Sequence, residues 1–429
     1  MDTWGVYAPW YVESRSTKKF RQWSGVVRAR VSTRRASRAG RVENCRIRPS
    51  ATEKSLTDPT PQHSANDDLL FTPLDLGGVR LGNRTALAPM TRVSATEDGM
   101  VTDRNARYYA GFARGGFALV VTEGVYTDTE HSQGYLHQPG LATPAQGEAW
   151  RPVVEAVHTA GGAIFAQLMH AGAQSQGNPL RQGTVGPSAV APRGEQLSFY
   201  RGSGPYATPR ALDAREIADI RRGFADAARH AVAAGFDGVE VHGANGYLLD
   251  QFLTDYLNQR EDGYGGSVEN RVRLAAEVVD EVLQAVGSEI AVGIRISQSK
   301  VSDFHHRWAG GAEDAETIFT TLARTGAHFL HTTEHKALEP AFSTGTETLA
   351  ELAKKFSGLP VIANGGLGEP KAARAALGSG AADVIAIGKG ALAQRDWPHR
   401  VRDGLEFATE PRPDTLGPLA DIKDWELAR

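Results

Sequence analysis

The chain has 429 residues, 41% hydrophobic and 23% charged, with 47 Gly, 21 Pro and a formal net charge of -3. These proportions describe a globular protein and exclude a collagen-like, disulfide-rich or wholly disordered chain. Its single cysteine, Cys45, cannot supply an intramolecular disulfide, a cysteine-based metal site or an iron–sulfur cluster, and fits a reducing compartment.

Charge divides the chain near Asn66. Residues 1–66 carry 13 Lys and Arg against 5 Asp and Glu, which leaves 34 against 45 for the remainder. The first segment, with STKKF, RARVSTRRASRAGR and CRIRPS, has no sustained apolar period and cannot offset its ordering entropy by burial. It reads either as a basic arm or transit peptide, or as a disordered extension, including upstream sequence translated from a start placed too early. We favour the second, because nothing downstream supplies the basic face of a nucleic-acid binder. No methionine lies between Met1 and Met90, so a later start would need another codon. No stretch reaches the roughly 18 consecutive apolar residues of a membrane span, and no apolar signal core opens the chain, so a cytoplasmic protein is expected.

Residues 67–429 alternate short apolar runs with longer amphipathic segments. The runs are Thr85–Ala88, Ala118–Thr122, Ala163–Leu168, Gly238–His242, Ala291–Ile296, His328–His331, Pro360–Ala363 and Asp383–Ile387. Their near-continuous apolarity predicts eight strands buried on both faces. A helix is expected over 214–234, where Asp213 and Glu216 form a capping-box pattern, and Gly235, Gly287 and Gly326 close such segments. Eight such units with no second nucleotide-binding pattern predict an α/β fold, a single (β/α)8 barrel. The 171–212 connection, rich in Gly, Pro and Tyr, suits a lid over the barrel mouth.

Barrel active sites lie at the C-terminal ends of the strands. After the seventh and eighth runs come Asn364-Gly365-Gly366 and Gly388-Lys389-Gly390, where glycine backbone and a lysine charge can hold an anion such as phosphate. After the fourth comes His242-x-x-Asn245-x-Tyr247, in which two donors can clamp one electron-rich oxygen and a phenol can deliver a proton. Gln167 and Arg295 end the third and fifth runs and point to the same mouth, one suited to a heterocyclic amide edge and the other to negative charge. No His, Asp and Glu set has metal-ligand spacing, and no nucleophile elbow or Gly-x-Gly-x-x-Gly follows a strand. His305-His306 reads as surface. These residues could serve a lyase or isomerase acting on a phosphorylated small molecule, with His242 and Tyr247 as acid and base, or a non-catalytic ligand-binding protein.

The motifs NRTALAPMTR (83–92), YYAGFARGGFALVVTEG (108–124), FAQLMHAG (165–172), GFDGVEVHGANGYLLDQFL (235–253), DGYGGSVENR (262–271), VGIRIS (292–297), VIANGG (361–366) and AIGKGALAQRDWP (386–398) occur in this order. From about Phe71 to Val401 the chain resembles the old yellow enzyme, or NADH:flavin oxidoreductase, family. The resemblance implies FMN across the barrel mouth, reduced by NAD(P)H, and an ene-reductase acting on an α,β-unsaturated carbonyl or nitro compound. It places Ala88, Pro89, Met90 and Thr91 along the flavin, Gly124 beside its ring, Gln167 on the pyrimidine edge and Arg295 by the charge gathering near N1 and O2. Gly365, Gly388 and Lys389 would hold the phosphate, His242 and Asn245 the substrate oxygen, and Tyr247 would be the proton donor. The chain departs from the usual pattern at Thr91, often a cysteine, at Val93, an aromatic in the cysteine branch, and at Lys389, usually an arginine. With Cys45 alone, the branch carrying a cysteine-ligated cluster and further domains is not expected. A small-molecule partner is implied, with no nucleic acid or membrane; a homo-oligomer fits such barrels, though the sequence marks no interface.

Overall fold

The computed structural model describes residues 68–428; the basic extension and Cys45 lie outside the described residues. Eight parallel strands close a barrel in chain order: β1 (Thr85–Leu87), β2 (Leu119–Tyr126), β3 (Ala163–Met169), β4 (Gly238–Asn245), β5 (Ala291–Lys300), β6 (Phe329–Thr333), β7 (Val361–Asn364) and β8 (Val384–Ile387). Pairing of Ile385 with Thr85 and of Ile387 with Leu87 joins the last strand to the first. All eight runs expected from the sequence are strands. β2, β4 and β5 extend toward the mouth beyond their apolar runs, by residues that are mostly polar or small and, apart from the half-buried Asn245, buried.

The helices begin where side chains can satisfy their free N–H groups. Thr102 with Asn105, Thr143 with Gln146, Asp213 with Glu216 and Thr348 with Glu351 form complete capping boxes. The helix expected over 214–234 has these bounds and stops at Gly235, whose φ of 91° a side-chain-bearing residue rarely adopts.

Period-two alternation divides the strand side chains between two cores. Outward residues such as Ile164, Val239, Val241, Val292 and Ile385 meet the helices in the larger core. Inward residues Leu119, Val121, Phe165, Ala291, Phe329, Ile362 and Val384 fill the lower barrel. The hairpin Leu74–Leu76/Val79–Leu81 plugs the floor, with Leu76 and Leu81 fully buried among them. Gly77 sits so close beneath β6 that an added Cβ would lie 2.7 Å from the His328 Cβ. The connection at 171–212 crosses the upper end and carries a short strand, Val185–Gly186, paired with Arg210–Ala211. His306, expected at the surface, is buried, because its Nδ1 bonds the Gln298 carbonyl at 2.9 Å and draws the ring under the β5 loop.

Candidate active site

The alternation that fills the lower barrel with apolar groups places polar ones above them. Gln167 follows Phe165 by two residues on β3, His331 follows Phe329 on β6, and Asn364 follows Ile362 on β7. Glu240 and His242 on β4, with Arg295 on β5, complete the inward set. Gln167 donates through Nε2 to Glu240 Oε1 at 2.7 Å, and His331 donates through Nδ1 to Glu240 Oε2 at 2.6 Å. Arg295 donates through Nη2 to Asn364 Oδ1 at 2.8 Å and Thr333 Oγ1 at 3.0 Å. Burial opposes ionisation of Glu240, but His331, Arg295 and the Gln167 bond outweigh it and hold the carboxyl below its ordinary value. Burial keeps His331 neutral.

The β1 end presents Ala88, Pro89, Met90 and Thr91, followed by Val93 at φ 37°, a strained conformation for a β-branched residue. Glu123 enforces it. An irregularity in β2 between Val121 and Gly124 turns this side chain to accept from the backbone N–H groups of Arg92 at 2.8 Å and Val93 at 3.0 Å. Gly124 lies across the mouth, where an added Cβ would meet Met169 Sδ at 2.6 Å and Gln167 Oε1 at 3.4 Å. The β8 end adjoins that of β1: a Cβ on Gly388 would stand 3.5 Å from Met90 Sδ and 3.7 Å from Ala88. Gly365 has φ 134°, and a Cβ there would strike the Glu334 carbonyl oxygen at 2.1 Å, so the turn after β7 needs glycine. Lys389 opens the short helix Lys389–Ala393, partly exposed and ion-paired with Glu410.

His242, Asn245 and Tyr247 come together above β4. Asn245 is left-handed at φ 64°, a conformation asparagine tolerates, and its backbone N–H bonds Ser297 Oγ at 2.9 Å. The following Gly246 donates its N–H to Asp250 Oδ2 at 2.6 Å, while Asp250 Oδ1 receives Lys300 Nζ at 2.6 Å in a fully buried ion pair. The turn therefore rests on charged groups inside the protein. His242 Nδ1 and Asn245 Oδ1 are buried without a hydrogen-bond partner among the described residues. Burial, with Arg295 and His331 adding to it, lowers the His242 imidazole well below its ordinary value and keeps it neutral. The Tyr247 ring lies 5.0 Å from that of His242, and its hydroxyl shares a 2.6 Å hydrogen bond with that of Tyr135. Burial raises the Tyr247 phenol, so it stays protonated.

Every site residue read from the sequence stands at this mouth or at the adjoining β8 end. Sequence reasoning missed Glu123, Tyr135, Tyr200, Glu240 and His331. Tyr200, in the lid, packs against Tyr135 with the rings tilted by 47° and their centroids 4.5 Å apart, and donates to the Thr91 carbonyl at 3.2 Å. Glu240 and His331 were findable, each two residues from an inward-facing neighbour in a recognised strand. Tyr135 and Tyr200 come from loops without a period, and only the tertiary fold brings them in.

Known proteins resemble this chain in sequence and fold. The NADH:flavin oxidoreductase / NADH oxidase family matches residues 69–407. A probable flavin mononucleotide-dependent alkene reductase of Leishmania infantum is 43% identical over 240 residues, 54% of this chain and 65% of that protein. Chanoclavine-I aldehyde reductase of Penicillium roqueforti is 37% identical over 348 residues, covering 80% and 91% of the two chains. The solved structure of the old yellow enzyme homologue from Zymomonas mobilis superposes with a TM-score of 0.73 at 34% identity, over 83% of this chain and 98% of that one.

The residues fit the family's cofactor. A planar, polar-edged heterocycle needs a wall without side chains, which Gly124 gives, and a phosphate needs close backbone, which Gly365 and Gly388 give. Arg295, held by Asn364 and Thr333, supplies a buried cation, and His242 Nδ1 and Asn245 Oδ1 are unpaired among the described residues. The chain belongs to the NADH:flavin oxidoreductase / NADH oxidase family and is an FMN-dependent oxidoreductase of the old yellow enzyme type.

Proposed function

We propose that the protein is an ene-reductase that reduces the carbon–carbon double bond of an α,β-unsaturated carbonyl or nitro compound. The observation that carries this is the presence of two unsatisfied buried polar atoms, His242 Nδ1 and Asn245 Oδ1, beside a protonated phenol, that of Tyr247, whose ring centroid lies 5.0 Å from that of His242. FMN, when bound, supplies the hydride chemistry, taking hydride from NAD(P)H and giving it to the β-carbon of the acceptor. Ala88–Thr91, Gly124, Gln167 and Arg295 hold its ring, and Gly365, Gly388 and Lys389 its phosphate.

His242 and Asn245 grip the acceptor oxygen. A neutral imidazole donates one N–H, and the Asn245 amide can turn its NH2 inward by rotation about its last torsion. These donors stand where negative charge develops as the β-carbon gains hydride, so little reorganisation is needed during the reaction. Tyr247 protonates the α-carbon. When Tyr135 donates to the Tyr247 oxygen, the Tyr247 proton is released from that contact and can point into the mouth. Tyr200, over Tyr135, shields the pair from water.

The test is a visible spectrum of the purified protein, taken anaerobically with NADPH and then with 2-cyclohexenone. A flavin band that bleaches and then returns is expected. Tyr247→Phe should slow the return about a hundredfold or more and leave the bleaching unchanged. A flavin that bleaches but ignores enones and nitroalkenes overturns the acceptor assignment, and a protein that binds no FMN overturns the whole reading.

A further inference from the structure

The polar layer contains a carboxylate to which the reaction assigns no task. Glu240 lies at the centre of the barrel, fully buried and one inward position below His242. Its two oxygens are divided between Gln167 Nε2 at 2.7 Å and His331 Nδ1 at 2.6 Å. A carboxylate only accepts hydrogen bonds, so the NH2 end of Gln167 must face it and the carbonyl end must face away. That end reaches the mouth, 3.4 Å from the space beside Gly124. The same logic fixes the proton of His331 on Nδ1.

Two consequences follow for a flavin over this layer. The amide of Gln167 cannot turn freely, and it offers an acceptor, the partner a pyrimidine imide N–H requires. The carboxylate also sets a negative charge near Arg295, whose positive charge favours adding electrons to the ring. A single side chain thus controls both a contact and a field.

We propose that Glu240, backed by His331, is a positioning residue for the cofactor: it fixes which end of Gln167 faces the flavin and offsets the pull of Arg295 on the flavin's electrons. The proposal rests on the placement of FMN given above. Glu240 touches neither substrate nor reacting atoms.

The two effects separate in two substitutions, measured on FMN-loaded protein by equilibration with a reference dye and by FMN titration. Glu240→Gln retains an acceptor for Gln167 and removes the charge. It should shift the reduction equilibrium about tenfold toward the reduced flavin, about +30 mV for a two-electron couple, with FMN affinity unchanged. Glu240→Asp retains the charge and withdraws the grip by one methylene. It should weaken FMN binding about tenfold, the loss of one charge-assisted hydrogen bond, with the potential unchanged.

This crossed pattern is not produced by a residue that only supports the fold, whose loss lowers melting temperature and leaves the potential in place. Either variant decides the matter if the other does not fold. A wild-type potential in Glu240→Gln, or wild-type FMN affinity in Glu240→Asp, overturns the proposal while the wild-type protein still binds FMN. Wild-type protein that binds no FMN overturns the placement on which it rests.

Discussion

At the scale of single residues, the most consequential carboxylate outside the polar layer is Glu123. Burial pushes its carboxyl up to about 7 from an ordinary 4.5, against the hydrogen bonds from Arg92 and Val93 that favour ionisation. Between those two values the unfolded chain has released its proton and the folded protein has not. Stability should therefore be intact below pH 4.5, fall as pH rises, and be lower by about 3 kcal/mol above pH 7. Glu123→Gln retains a carbonyl acceptor for the strained Arg92–Val93 backbone and removes the titration. Denaturant unfolding across this range should show a pH slope in the wild type that is reduced in the variant; equal slopes would place the titration elsewhere.

At the scale of elements, the turn after β4 is held by the Asp250–Lys300 pair, which joins the helix Leu248–Leu253 to the end of β5. Removing one partner of a buried pair strands the other charge, so Lys300→Met should cost about 3–5 kcal/mol. Asp250, which accepts from the Gly246 N–H, is no longer anchored by the lysine, and its loosening should let Asn245 move, raising KM for the acceptor more than KM for the nicotinamide; a uniform change in both would argue against this support. Lys300 also marks the limit of what a one-dimensional reading sees. The eight strands, the helix over 214–234 and the positions of His242, Gln167 and Arg295 were legible because apolar runs and caps are local signals. The ends of β2, β4 and β5 were not, because there buried polar residues replace the apolar pattern and pay for burial with partners far along the chain. Glu123 finds Tyr109 and Arg92, and Lys300 finds Asp250, pairings that no local period announces. His306 was misread for the same reason.

At the scale of the whole molecule, three distant segments meet beside the mouth. Arg92, fully buried, donates to both Glu426 oxygens at 2.8 and 2.6 Å, to the Asp421 carbonyl at 2.8 Å and to the Tyr108 hydroxyl at 2.7 Å. Ala420 N–H bonds the Phe199 carbonyl at 2.9 Å, and Tyr200 returns to Thr91, so the 415–426 segment, the lid and the β1 end brace one another. Glu426→Ala leaves a guanidinium buried without its counter-charge and should cost about 3–5 kcal/mol, read as a lower denaturation midpoint. A midpoint within experimental scatter of wild type would mean that the brace contributes little. At the opposite end, Leu76 and Leu81 seal the barrel with hydrocarbon. Under the proposed function, nucleotide and acceptor then have one doorway between them, and each must vacate before the other enters. Initial rates measured against one substrate at several fixed levels of the other should give parallel double-reciprocal lines, and excess of either compound should inhibit by occupying the doorway out of turn.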